Sequence, residues 1–307
     1  MPTLDWIGKD KVINHHNDVP YKVLERKYSY DEDGVHKDDI HSENMIIHGD
    51  NLEALKSLLP QYEGKIKCIY IDPPYNTGNE GWIYNDNVND PKIKKWLGEV
   101  VGKEGEDLSR HDKWLCMMYP RLVLLKKLLH PTQGVIFISI DENEFANLKL
   151  MCNEIFNISN FVISIAWQKR YSRENRGAIG DSHEYILVYA TNPDVFKETR
   201  NYLPLTEKQL KAYSNPDNDP RGLWQSVSLL AQGYRPNQMY EIVAPNGKVH
   251  LPPEGNCWKV VQSEYERALA EGRVTFGSDG NGVPRRKQFL NESKGLVPWS
   301  WWPFDEV

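Results

Sequence analysis

The sequence predicts an α/β fold, a parallel sheet covered by helices on both faces, followed by a second and more irregular region. Three observations predict it. Between residues 44 and 190, short apolar runs alternate with stretches whose leucines recur at helical spacing. Those apolar runs are nearly continuous, as expected of strands buried on both faces. Beyond Ala190, Pro, Gly, Asn and Trp become frequent and the apolar runs shorten. Strands that alternate with helices imply a parallel sheet between helical layers.

Residues 1–43 read as a polar N-terminal extension, and Asp31–Asp39 reads as a charged surface loop. Met45–His48 is a short apolar run that predicts a strand. Gly49-Asp50-Asn51 then makes a tight loop, and Leu52, Leu55, Leu58 and Leu59 define a helix with Asp50 or Asn51 as its N-cap. Lys65–Ile71 predicts a strand that stops at Asp72-Pro73-Pro74-Tyr75, because two prolines end any strand they follow. Residues 76–111 form a long segment rich in Asn, Gly and Asp, a length that is usually functional or partly helical. Asp112–Leu129 predicts a helix with Leu115, Met118, Leu122, Leu125 and Leu129 on one face and a kink at Pro120. Gly134–Ile140 predicts a buried strand ending at Asp141, residues 143–155 a helix, and Phe161–Trp167 and Tyr185–Ala190 further strands. The predicted organisation is an extension (1–43), an α/β domain (44–190) and an irregular region (191–307).

Composition narrows the class. A chain of 307 residues holds about two domains and buries a real core. With 40% hydrophobic and 26% charged residues, 10 Trp, 16 Tyr and 8 Phe, it is no disordered chain. Cys68, Cys116, Cys152 and Cys257 stand far apart, so neither a zinc cage nor a disulfide framework is expected. The first residues lack the apolar core of a signal peptide, and no run approaches the ~18 apolar residues of a membrane helix. A reduced, cytoplasmic protein with no membrane partner is therefore expected. Thirty-seven basic against 43 acidic residues give a net charge of −6. That argues against non-specific coating of nucleic acid and leaves room for a local basic cleft.

The chemistry concentrates in Asp72-Pro73-Pro74-Tyr75, at the carboxyl end of a buried strand, where open α/β sheets bind ligands. The bland readings are a proline turn with a solvated Asp, or a WW-domain ligand. The latter needs an exposed polyproline stretch rather than a strand end. Asp50, ending the neighbouring apolar run, is a second site candidate, with a simple helix cap as its other reading. Asp141 reads as a turn acid or a cleft-lining one. Basic and aromatic residues interleave in Trp167–Arg176, where Lys169, Arg170, Arg173 and Arg176 suit phosphates and Tyr171 suits a base. A solvated charged face is the alternative. Arg221, Arg235 and Arg285-Arg286-Lys287 offer the same chemistry in the second region.

The run Ile69-Tyr70-Ile71-Asp72-Pro73-Pro74-Tyr75-Asn76-Thr77-Gly78-Asn79-Glu80 resembles the catalytic motif of amino-methylating DNA methyltransferases. It is most similar to the modification subunits of type III restriction–modification systems. The likeness extends to His48–Leu55, Leu108–Trp114, Gly134–Asp141, Asp181–Ala190 and Pro298–Pro303, in that order, over most of residues 44–307. The resemblance implies a Rossmann-like methyltransferase sheet, incomplete at the C-terminus, with an α+β target-recognition region. It implies methylation of adenine N6 in double-stranded DNA with S-adenosylmethionine as methyl donor. The adenine amine is a poor nucleophile because its lone pair is delocalised into the ring. The Asp72 carboxylate and Pro73 carbonyl would accept its two N–H groups, Pro74 would stiffen the loop, and Tyr75 would stack on the extruded base. Asp72, rather than Ser or Asn, favours adenine over cytosine N4 or a protein amide; an RNA substrate stays open. By the same resemblance Asp50 would lie beside the adenosyl group. A homodimer and a helicase–nuclease restriction partner are further implications.

One family feature is missing. The glycine loop for S-adenosylmethionine should follow a strand and open a helix. The comparable string, Phe276–Gly282, is followed by Val283-Pro284-Arg285, so a tight hairpin is expected instead. The expectation is the front part of a methyltransferase that binds S-adenosylmethionine poorly alone: a truncated gene product, a cloned fragment, or one half of a split enzyme whose separate C-terminal half supplies the loop. The alternative is a non-catalytic DNA-binding fragment.

Overall fold

The computed structural model describes residues 3–37, 44–77, 108–171 and 179–304. The chain divides into two compact units, Met1–Arg200 with Trp299–Val307, and Asn201–Pro298.

In the first unit, strands β1 (Ser29–Asp31) and β2 (Gly34–His36) form a small hairpin. The central sheet has five strands: β3 (Cys68–Ile71), β4 (Val135–Ile140), β5 (Phe161–Gln168), β6 (His183–Ala190) and β14 (Trp301–Trp302). Their spatial order is β14-β5-β6-β4-β3. The predicted α/β class holds, but the sheet is mixed rather than parallel. β3 runs parallel to β4, and β14 to β5, whereas β6 is antiparallel to both β4 and β5. Continuous apolar runs report burial on both faces, not strand direction, so the pattern in β5 and β6 was silent on this point.

Alternation sets the two faces. Ile136, Ile138 and Ile140 of β4, with Leu187 and Tyr189 of β6, pack against the Leu108–Leu128 and Phe145–Cys152 helices. Val135, Val188 and Ala190 face the other way, where Phe196 of the Pro193–Thr199 helix and Trp302 pack. The Leu108–Leu128 helix continues through Pro120 and is buried on more than its predicted face. Leu115, Met118, Leu122 and Leu125 meet the sheet side, while Leu124 and Leu128 meet Leu52 and Leu59 of the Asn51–Tyr62 helix. It is therefore a core helix rather than a surface one.

Two expectations need correction. The N-terminal extension is not merely a surface segment. Trp6 and Val12 are buried in the main core and Val19 in the cluster under the Asn51–Tyr62 helix, and the Trp6 indole donates to Cys116 Sγ at 3.3 Å. Three apolar residues spaced widely in a polar stretch give no periodic signal, yet each finds a slot on the helix surface. Conversely, Met45–His48 is not a strand; Ile46 is fully exposed. A strand exists only when a neighbour pairs with it, and among the described residues β3 is the edge of the sheet.

The second unit holds a three-stranded sheet of β12 (Val274–Thr275), β13 (Arg285–Phe289) and β7 (Trp224–Ser228). Two short antiparallel pairs, β8 (Leu230–Gln232) with β11 (Asn256–Trp258) and β9 (Ile242–Val243) with β10 (Val249–His250), and the Gln262–Ala270 helix accompany it. Its core is Trp258, Tyr265, Ile242 and Phe276.

Candidate active site

Asp72-Pro73-Pro74-Tyr75 stands where expected, immediately beyond the carboxyl end of β3. Because β3 and β4 are parallel, their carboxyl ends lie side by side, and antiparallel β6 brings its first residues to the same rim. Ile140 of β4 pairs with Tyr185 of β6. The rim thus gathers Asp72, Asp141, Glu142, His183 and Glu184.

Within the loop, Asp72 is exposed and Pro73 is buried. The Pro74 carbonyl accepts a hydrogen bond from Trp114 Nε1 at 2.6 Å. The Tyr75 hydroxyl donates to Glu184 Oε2 at 3.1 Å. Burial, then the charge of Glu184 and a hydrogen bond to the Asp72 carboxylate, hold the Tyr75 phenol far above its ordinary pKa. It therefore stays protonated, and its ring is tethered by its own hydroxyl. Glu184 also pairs with Lys169 at 3.4 Å, and Lys169 with Asp181 at 3.0 Å. Burial works against the Lys169 charge, but the two carboxylates outweigh it and raise its pKa. Tyr185 donates to Glu142, which together with burial pushes its phenol up to about 12.

Asp50 is the N-cap of the Asn51–Tyr62 helix; its Oδ1 accepts from the amides of Leu52 at 2.9 Å and Glu53 at 3.0 Å. Asp141 accepts from the Asn143 amide at 2.9 Å and its side chain at 2.7 Å, an ordinary turn acid. Lys169 sits on the Tyr75 side of the rim through Glu184, and Arg170 is exposed at the end of β5. Arg173 and Arg176 lie outside the described residues.

Sequence reasoning assigned no role to Glu184, Glu144, His111, Asn76 or Trp114. Glu144 is completely buried, accepting from Asn76 Nδ2 and, at 2.6 Å, from His111 Nδ1 on Oε1, and from Asn147 Nδ2 at 2.9 Å on Oε2. A glutamate at the start of a strand that is apolar thereafter, next to His183 in β6, was the available signal for Glu184.

The sheet and its strand-end loop define the class as an α/β protein with a proline-locked loop at the carboxyl end of a sheet strand. The family model described as DNA methylase, covering N6 and N4 methylation, matches residues 66–268, and the chain belongs to that family. It is 34% identical over 321 residues to the StyLTI Mod subunit of a type III restriction–modification enzyme from Salmonella typhimurium, covering 97% of this chain and 46% of that protein. It is 30% identical to the EcoP15I Mod subunit from Escherichia coli, covering 95% and 51% respectively. The chain thus spans about half the length of these relatives. Among solved structures, M1.HpyAVI with SAM is 15% identical, with a TM-score of 0.28 over 56% of this chain and 59% of that one. The expected family likeness is met by the family match and the Mod relatives.

Proposed function

We propose that the chain is the acceptor-binding part of a site-specific DNA adenine-N6 methyltransferase, the modification subunit of a restriction–modification system. The observation that carries this reading is the arrangement of the Asp72–Tyr75 loop. An exposed carboxylate ends the strand, the next two residues are locked prolines, and a tethered aromatic ring follows. Since Trp114 occupies the Pro74 carbonyl, the Asp72 carboxylate and the Pro73 carbonyl are the pair assigned to the adenine amine. Accepting both N–H groups draws the nitrogen toward pyramidal geometry and localises its lone pair. The Tyr75 ring holds the extruded base flat. Positioning and electrostatics supply the rest, without a covalent enzyme intermediate.

S-adenosylmethionine supplies the electrophilic methyl group in this reaction. The described residues fit it only at one edge. Asp50 spends Oδ1 on two helix amides and keeps Oδ2 for an adenosyl hydroxyl. Phe276–Gly282 does not serve as its glycine cradle, because it joins antiparallel β12 and β13 as a hairpin and opens no helix. Within the hairpin the Gly282 amide closes onto the Phe276 carbonyl at 2.6 Å, and Gly277 and Gly280 have φ of 80° and 67°. The donor pocket is therefore assigned to a separate C-terminal half.

Double-stranded DNA is the assigned substrate, with the unit that holds the five-stranded sheet, β14 included, as the catalytic domain and Asn201–Pro298 as the target-recognition region. Lys169, Arg170, Arg173 and Arg176 are assigned to phosphate contact. A homodimer, a helicase–nuclease restriction subunit and a cytoplasmic setting complete the proposal.

The test is methyl transfer from labelled S-adenosylmethionine to unmodified DNA by the chain with its C-terminal half supplied. Asp72→Ala should cut transfer by about 10³-fold or more, the scale of losing a main electrostatic contact, with DNA binding unchanged. Retained transfer in that variant overturns the assignment. Salt-sensitive DNA binding by the wild-type chain without transfer, whatever partner is added, establishes the non-catalytic fragment instead.

A further inference from the structure

We propose that Glu144 is a positioning residue for the acceptor loop, fixing Asn76 and through it the Pro73 carbonyl and the Tyr75 ring. This rests on the methyltransferase reading above and deepens it.

Glu144 is 0% exposed, and a buried carboxylate persists only when its oxygens are hydrogen-bonded. Its three donors come from three separate segments: Asn76 from the loop after β3, His111 from the Leu108–Leu128 helix, and Asn147 from its own helix. Asn147 is three residues away and is local scaffolding. Asn76 is the long-range partner, and it follows Tyr75 directly.

Asn76 is itself almost fully buried and has φ of 61°, a left-handed conformation that few non-glycine residues hold without support. Its Nδ2 is held by Glu144, with the Arg110 carbonyl at 3.4 Å as a second acceptor. Trp114, on the same helix as His111, grips the Pro74 carbonyl. The loop is thus gripped from behind at residues 74 and 76 while Asp72 stays exposed in front.

The charge type matters. A carboxylate only accepts, so it forces the Asn76 amide to turn its NH₂ inward. Glutamine at 144 would present one NH₂ of its own. Whichever way that amide faces, a donor now opposes Asn76 and His111, or opposes Asn147. With the NH₂ toward Asn76, His111 can change tautomer to accept but Asn76 must rotate, which releases the turn that aims Tyr75 and Pro73; with the oxygen toward Asn76, Asn147 rotates instead and the uncharged acceptor holds Asn76 less tightly.

The experiment compares the wild-type full chain with Glu144→Gln, Asn76→Gly and Asp72→Asn. Hydrogen exchange reads the amides of Tyr75, Asn76 and Thr77, with the amides of β4 as internal control. Methyl transfer to DNA is measured with the C-terminal half supplied. Glu144→Gln should speed exchange at residues 75–77 by tenfold or more and leave β4 unchanged. It should lower kcat at least tenfold, with KM for DNA and for S-adenosylmethionine within twofold. Asn76→Gly relieves the left-handed φ but removes the bond to Glu144, and should give the same kcat loss.

Wild-type exchange at 75–77 in Glu144→Gln overturns the proposal. So does wild-type kcat in Asn76→Gly, which would make the backbone conformation the only requirement. Faster exchange throughout β4 would reduce Glu144 to a general structural role and also overturns it. If Asp72→Asn remains active, the role of Asp72 fails, and if the wild-type chain with its C-terminal half transfers no methyl group, the methyltransferase reading fails; in either case the exchange data still decide whether Glu144 holds the loop. Should Glu144→Gln fail to fold, Asn76→Gly alone carries the test.

Discussion

At the scale of residues, the rim works by pairing each candidate side chain with a second group that fixes it. Tyr75 is the clearest case, a phenol held to Glu184 while Glu184 is balanced by Lys169. Replacing Tyr75 by Phe keeps the ring and removes only the tether. A hydrogen bond to a charged group is worth about 1.5–3 kcal/mol. Methyl transfer in Tyr75→Phe should therefore fall by about tenfold or more, with the fold intact by circular dichroism. Unchanged transfer would show that the ring is aimed by packing alone. The loop itself was legible in the sequence, because two prolines after an apolar run mark a strand end without any structure. Its supports were not. Glu144, His111 and Asn76 are separated by up to 68 residues, and only the folded sheet brings them together. Asp50 shows the opposite limit, since a helix cap and a ligand contact ask for the same residue at the same place.

At the scale of elements, the periodic segments were read correctly and the aperiodic ones were not. The Leu108–Leu128 helix and strands β4 and β6 follow their apolar pattern, whereas Met45–His48 has the pattern of a strand and lacks a partner. The N-terminal segment carries the converse lesson. Trp6 is buried against the Leu108–Leu128 helix, with Tyr119 at 5.8 Å between ring centroids and Lys9 over its face at 5.0 Å. Trp6→Ala should cost about 3–5 kcal/mol in urea unfolding, the usual range for a buried aromatic. A loss near zero would return the segment to the surface role that its polarity suggested.

In the second unit, Asp219 lies between Arg221, at 2.7 Å, and the buried ammonium of Lys287, at 3.0 Å, and Lys287 also binds Asp217. Arg221 above all, then Lys287, hold the Asp219 carboxyl well below the ordinary aspartate range. A depressed carboxylate pKa stabilises the folded form above the unfolded value, and that stability is lost as the pH falls through the folded one. The melting temperature of the unit should therefore drop on acidification below about pH 4. Asp219→Asn should lower it at neutral pH and flatten that acid slope. An unchanged slope would place the acid sensitivity in other carboxylates.

At the scale of the whole molecule, the first unit has a closed core and, among the described residues, an unpaired sheet edge. Its helices bury Ile136, Ile138 and Ile140 completely, yet β3 forms the sheet edge among the described residues, with Cys68 exposed and Tyr70 59% exposed. Edge strands with exposed side chains are ready to pair with another chain. The thiols report this directly. Burial raises the Cys116 thiol to about 11 and pushes Cys152 higher still, and a thiol must ionise to react. Under native conditions an aromatic disulfide reagent should label Cys68 within seconds to minutes, while Cys116, Cys152 and the buried Cys257 react only on unfolding. Adding the proposed C-terminal half should protect Cys68 in proportion to complex formed, because a strand laid against β3 covers it. Labelling of Cys68 that stays fast in an otherwise active complex would place the second half elsewhere. It would leave the β3 edge to face solvent or another copy of the chain.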